Sequence, residues 1–376
     1  MKFNLPKIPK IVLLLPLSLM VASCETNFEN IEKFGSRSAL VREKSASMAE
    51  DVYQSCLRKA KYTIPDNENN RDSFVRSLRI LERQDPNLQA EEDKCQQDPY
   101  QKAVEEIEDA NSVLIEYMIA LGKLASDDAV SFEQNLAKLE VSLQNLNTTL
   151  ASVTAISSDT TSMFQEEEIN AGLAIARFVF NQLVTKFRQD NLQEAIVCTN
   201  QSIQDYIPGL ISITRDFYID GILRSEELEN YQYHSNFVQY TVPDGKSVNV
   251  STQGQKFENL STQEQTNQIL ALYIFKQEYL TAVNTIEEKK VAANAYVKIL
   301  EETAEAHQKL FEELNEPAID EKEIEVSCQE YFAEIKNDVS PQTSTLTLQQ
   351  LKKVDRIVME YTNEIEPHIK KLDKAF

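Results

Sequence analysis

From Ser261 to Asn315 the chain contains neither proline nor glycine. Leu272, Phe275, Tyr279, Ala282, Ile286, Ala293, Leu300, His307 and Leu314 keep a spacing close to three or four through that stretch. This is the period of a helix with one apolar face. At 1.5 Å per residue the run predicts a rod of about 75 Å. Ser261-Thr262-Gln263-Glu264 resembles a capped start, and Pro317 ends the run. A single rod of this length needs other long helices beside it to bury its apolar seam.

The rest of the chain supplies them. Phe132, Leu136, Leu139, Leu143, Leu146, Leu150 and Val153 alternate steps of four and three, one apolar seam on one helix. Before it, Tyr100 to Ala125 carries Ala103, Ile107, Leu114, Met118 and Leu121 on one stripe. The short join Ser126-Asp127-Asp128 makes these two helices antiparallel neighbours, and Asp127 or Asp128 can cap the second. A third helix is expected with Ile169, Leu173, Ala176, Phe180, Leu183 and Phe187 in register. A fourth carries Ile203, Leu210 and Phe217, starting at Asp190 or near Thr199-Asn200 and kinked at Pro208. Two shorter helices, about 320–338 and 346–374, are parted by Ser340-Pro341. Near the amino end, Val41, Met48, Val52 and Cys56 suggest one more, followed by a polar loop at 64–70. Seven glycines in 376 residues argue against folds that rely on tight turns or on backbone approach to phosphates. The expected fold is mainly α: an extended antiparallel bundle.

One segment breaks the rhythm. Asn236 to Val242 is rich in β-formers, Pro243-Asp244-Gly245 is a turn, and Val248 and Val250 alternate after it. This reads as a β-hairpin inserted between helices. Phe237, Tyr240, Asp244 and Gly245 mark it as a candidate contact for a protein partner.

The first residues give an address. Lys2, Lys7 and Lys10 precede an apolar run from Ile11 to Ala22, followed by Ser23 and Cys24. The run has 12 residues and contains Pro16, too short for a spanning helix, which needs about 20 apolar residues. Val21-Ala22-Ser23-Cys24 resembles the lipobox of bacterial lipoproteins. The resemblance implies cleavage between Ser23 and Cys24, acylation of Cys24, and a mature chain tethered in the bacterial envelope through that lipid. Outer membrane is the default sorting, and Glu25 makes inner-membrane retention the alternative. The organisation expected is a signal at 1–23, an anchored helix and polar loops at 24–98, and a bundle at 99–235. The hairpin occupies 236–260, and the long helix with the carboxy-terminal helices occupies 261–376.

Four cysteines remain after Cys24: Cys56, Cys95, Cys198 and Cys328. In an exported chain an even number points to disulfides. Three pairings are possible. Cys56 with Cys95 and Cys198 with Cys328 is favoured, because the first pair ties an early helix to the start of the next across a polar loop. Closing such a loop contributes about 3–4 kcal/mol in the chain-entropy picture.

The formal net charge is −22, and losing three leader lysines makes the mature chain more acidic still. Such a polyanion repels nucleic acid. The two sharper readings of the charge are a basic protein partner and divalent cations.

Chemistry-bearing motifs are missing. The histidines are His234, His307 and His368, and the residues three before them are Tyr231, Ala304 and Ile365. The Glu-x-x-His pattern of a dimetal bundle therefore fails. His307 falls on the apolar seam and reads as a packing histidine. Asp66-x-Glu68-x-Asn70 imitates a calcium loop but has Arg71 in place of glycine and Ser77 in place of the closing glutamate. Glu166-Glu167-Glu168, Glu91-Glu92-Asp93 and Glu301-Glu302 read as solvated helix faces. No metal, cofactor or catalytic residue is assigned. The function expected is a lipid-anchored binding or scaffold module with an envelope protein as partner. The alternatives are a membrane-active helical protein and an enzyme whose site is assembled across helices.

Overall fold

The computed structural model describes residues 29–62, 86–125, 136–154, 164–184, 192–241, 262–315, 326, 328 and 347–376. The elements are α1 (Glu29–Ala60), α2 (Pro86–Cys95), α3 (Asp98–Ala125), α4 (Leu136–Thr154), α5 (Glu166–Val184), α6 (Leu192–Ser212), a π-helical segment (Ile213–Leu223), α7 (Arg224–Thr241), α8 (Thr262–Leu314) and α9 (Leu348–Ala375). No strand occurs among the described residues. The helical bundle expected from periodicity is therefore present, and α8 is the uninterrupted rod read from the sequence.

The expected seams are the buried ones. Leu139, Leu143, Leu146, Leu150 and Val153 are buried on α4, and Ala103, Ile107, Leu114, Met118 and Leu121 on α3. Val41, Met48, Val52 and Cys56 are buried on α1. Apart from Cys56, these residues belong to one contiguous core shared by α1, α3 to α6, the π segment, α8 and α9. On α5, Phe180 points outward instead, exposed beside a buried Phe178 and Val179. Helix α6 starts at Leu192, so Thr199 and Asn200 lie inside it rather than capping it. Thr347 caps α9 through a reciprocal pair with Gln350.

The hairpin reading is corrected in its first half. Residues 236 to 241, expected as a strand, continue α7. The reason is context. The segment extends a helix already running from Leu192 through the π segment, so it needs no nucleation. Ahead of it, Tyr233 and His234 pack their rings on α8. Helix extension with tertiary packing outweighs a local β preference. The turn Asp244-Gly245 and the second strand lie outside the described residues, as do the 64–70 loop, Asp127, Asp128 and most of 320–338.

Neighbouring helices are pinned by side chains. Between α6 and α8, Gln193 Nε2 donates to the Leu314 carbonyl at 2.8 Å, Asn200 Nδ2 to Gln308 Oε1 at 2.9 Å, and Gln204 Nε2 to the Ala304 carbonyl at 2.9 Å. Fully buried tyrosines set the other registers. Tyr206 of α6 donates to the Ala110 carbonyl at 2.7 Å, and Tyr296 of α8 to Asn111 Oδ1 at 2.7 Å. Tyr361 of α9 meets Thr303 of α8 at 2.9 Å. A buried phenol gives apolar area and needs one polar partner, so each fixes a neighbour lengthwise. Both favoured disulfides are formed, Cys56–Cys95 and Cys198–Cys328.

Two glycines let α5 and α6 approach. A methyl group on Gly172 would overlap the ring of Tyr206, and one on Gly209 would overlap the ring of Phe164. The two rings meet edge-on with centroids 5.4 Å apart. Gly172 of α5 thus receives an aromatic of α6, and Gly209 of α6 receives one from the residues just ahead of α5.

Candidate interaction arm

Three features could carry function: a buried polar chain, a buried charge cluster, and an exposed apolar helix face.

The polar chain surrounds His307. Its Nε2 lies 2.7 Å from the Tyr117 hydroxyl and its Nδ1 2.9 Å from Asn200 Oδ1. The tautomer follows from the far end. The Glu312 carboxylate can only accept, so Gln308 Nε2 donates to it at 2.9 Å. Gln308 Oε1 then accepts from Asn200 Nδ2, which turns Asn200 Oδ1 toward the ring. His307 therefore carries its proton on Nδ1, and Nε2 accepts from Tyr117. Burial pushes the His307 ring down to about 3. The adjoining cavity, lined in part by Leu114, Met118, Leu310 and Val358, is about 10 Å³, room for one water at most. The expectation of a satisfied packing histidine holds, and there is no space here for a substrate.

The charge cluster joins α1, the π segment, α7 and α8. Asp51 accepts from Arg58 Nη1 at 2.8 Å and Nη2 at 3.0 Å, from Lys289 Nζ at 2.6 Å and from the Tyr218 hydroxyl at 2.7 Å. Glu226 accepts from Arg58 Nε at 2.6 Å and from the Ser55 hydroxyl at 2.6 Å. Two carboxylates meet two cations, so the cluster is neutral. Burial opposes the Arg58 charge, but the hydrogen bonds and charges of Glu226 and Asp51 outweigh it and hold the guanidinium above its ordinary range. Burial first, then the Asp51 charge, pushes the Tyr218 phenol well up. Lys289 also lies over the Phe376 ring, 4.8 Å from its centroid. The widened helix at 213–223 presents both Phe217 and Tyr218 inward, which brings Tyr218 to Asp51. These groups satisfy one another and lock the root of α7 to α1.

Beyond this lock lies an arm. In α8 every position from Thr285 back to Ile269 is at least partly exposed except Phe275, apart from Ala271, which is outside the described side chains. Phe275 forms a small separate cluster with Leu272 and Tyr233 of α7. His234 stacks on Tyr279 with centroids 4.2 Å apart and on Phe275 at 5.6 Å. Burial, then Lys276, lowers the His234 imidazole. Among the described residues the other side of α8 has no such cover: Ile269, Leu270, Tyr273, Ile274 and Leu280 are exposed. On α7, Leu228 and Tyr231 are exposed as well.

The arm projects from one end. Arg42, in the first half of α1, pairs with Glu116, and Tyr117 is level with His307 of α8, whereas Asp51, in the second half, is level with Lys289. Helix α8 thus runs opposite to α1. Residue 262 lies about 40 Å past Lys289, and Ala60 only about 14 Å past Asp51. The arm therefore overshoots α1, at the end away from Glu29.

Of the residues singled out in the sequence, Phe237 and Tyr240 fall on α7. Ser23, Cys24, Asp244 and Gly245 lie outside the described residues. Glu166, Glu167 and Glu168 form the first turn of α5. Glu301 bridges Arg215 at 2.8 Å and pairs with Lys298. His368 is half-buried, and burial followed by Lys371 and Lys298 lowers it. Among the described residues, no group of three or more His, Cys, Asp or Glu is placed to hold a metal, and no helix is long and apolar enough to cross a membrane. The stripe itself was overlooked. Its signal is Ile269 to Phe275, seven apolar residues in a row, which circle a helix and so exceed the one face that α7, its neighbour among the described residues, covers.

Compared with models of known protein families, with characterised proteins and with solved structures, the chain matches none.

Proposed function

We propose that this protein is a lipid-anchored helical spacer of the bacterial envelope that presents an interaction arm away from its membrane. The observation carrying this reading is the position of the arm. Helix α1 is the first element after Cys24, and the exposed stripe of α8 stands at the opposite end of the molecule. A lipid on Cys24 would hold the start of α1 at the bilayer, and the arm tip would stand about 70 Å along the helix axes from Glu29. Several acyl chains make a stable tether where one is marginal.

The two buried clusters read as structural ties. Their polar groups pair with each other, and the cavity beside His307 is water-sized. A catalytic site needs groups aimed at a space where a reacting atom fits.

The test begins with the amino-terminal peptide of protein extracted from membranes. Acylated Cys24 is expected; a peptide that retains the leader, or begins at Cys24 without lipid, sinks the anchor. The second step compares native protein with Cys24→Ala in envelope fractions. The native chain should sediment with membranes and the variant should not.

A further inference from the structure

We propose that the exposed stripe of α8 is a self-association surface, on which a second copy of this chain lies antiparallel. This deepens the spacer reading by naming the arm's occupant, and it holds whether or not Cys24 carries lipid.

The stripe is a built face. At 100° per residue, Ile269, Leu280, Tyr273, Leu270 and Ile274 fall within an arc of about 140°. Leu272, Phe275 and Tyr279 lie on the opposite side, against α7. The five stripe side chains are between 40% and 62% exposed. They make a strip of a few hundred Å², the size of the largest apolar patch on an ordinary monomer (about 300–600 Å²). Two strips with their polar margins approach the roughly 1,000 Å² that a specific interface needs.

Charge and length choose the occupant. The chain is at −22, but residues 262–285 contain only Glu264, Lys276 and Glu278 as charged groups. The bodies repel one another and the arms hardly do. An antiparallel overlap of arms alone leaves each body beyond the other's tip. The separation is then about 35 Å along the axis, several times the screening length of about 8 Å. A parallel pair would set the acidic bodies side by side. The lengths also match. The stripe centres between Ile274 and Phe275, with Thr262 and Ile286 almost equidistant on either side. Antiparallel pairing about that centre puts Ile269 opposite Leu280 and brings each tip to the point where the other body begins. It also sets Lys276, the single cation of the segment, level with Tyr273 of the other copy, where a ring face attracts it.

The experiment uses the full-length protein. Light scattering should give twice the chain mass for the native protein at roughly micromolar to tens of micromolar concentration. Tyr273→Glu with Ile274→Glu should give the single mass with an unchanged helical circular dichroism spectrum, since both side chains are exposed. Association of the native protein should strengthen with added salt, which screens the bodies. Ile269→Cys and Leu280→Cys chains, mixed and oxidised, should cross-link to each other in preference to themselves, which keeps the proposal testable should the glutamate variant fold poorly. A native protein that stays monomeric at all these concentrations overturns it. A monomer that binds neutral phosphatidylcholine vesicles overturns it in favour of a bilayer. Self-cross-linking of each cysteine chain overturns the antiparallel arrangement.

Discussion

The proton on His307 is placed by a carboxylate three hydrogen bonds away. Glu312 fixes Gln308, Gln308 fixes Asn200, and Asn200 fixes the ring. Burial keeps that ring neutral down to about 3, whereas an exposed histidine in the unfolded chain titrates near 6.5. Between those values the unfolded state binds a proton that the folded state refuses. Stability therefore falls as pH drops below about 6.5, by about 1.4 kcal/mol per unit. Denaturant unfolding at pH 7 and pH 5 should show native protein losing about 2 kcal/mol more over that interval than His307→Gln; equal losses would mean the ring is charged in the fold. That His307 belongs to the interior was legible from its place on the seam. Its hydrogen-bond partners on α3 and α6 were not, because residues 117 and 200 are far away in the chain and their meeting is set by packing.

At the scale of elements, helix periodicity was read well and its ends and exceptions were not. The seam of α4 is buried as expected, yet Phe180 of α5, in step with buried neighbours, faces out. Period alone does not say how many neighbours a helix has. The 236–241 segment failed for the converse reason, since its β-formers sit at the end of a helix that had no cause to stop. The widened turn at 213–223 has no sequence signature beyond its buried Tyr218, whose role becomes visible only once Asp51 is opposite. Replacing Gly209 with alanine should cost about 1–3 kcal/mol through overlap with Phe164, and Phe164→Leu in the same chain should recover part of it. Thermal unfolding of the three variants checks this, and additive losses would mean the ring is not the cause. Removing Arg58 as Arg58→Met leaves Glu226 without its cation. The loss should be about 3–5 kcal/mol, partly restored by Glu226→Gln in a double-mutant cycle.

For the whole molecule, two covalent ties join segments far apart in sequence. Cys56–Cys95 holds α2 to α1, and Cys198–Cys328 spans 130 residues to bring Cys328 to α6. Loops of that length contribute about 4–5 kcal/mol in the chain-entropy picture. Cys198→Ala with Cys328→Ala should lower the urea midpoint more than Cys56→Ala with Cys95→Ala, because its loop is longer; the reverse order would place the stabilisation in the native contacts instead. Their even count made disulfides legible, and the favoured pairing proved correct. The arm was legible only as length. Nothing in the periodicity of residues 262–285 said that one face would stay bare, since that depends on where the body ends.

Neighbours laid lengthwise also have a mechanical meaning. A force drawing the arm tip away from the start of α1 does not peel helices apart end by end. It enters along α8, crosses to α9 through Thr303–Tyr361 and Lys353–Glu313, and returns to α1 through Arg37–Glu366 and Lys44–Asp373. Each crossing is loaded sideways, in shear, with all its contacts strained at once. The molecule is therefore built as a lap joint rather than a zipper, stiff along its axis.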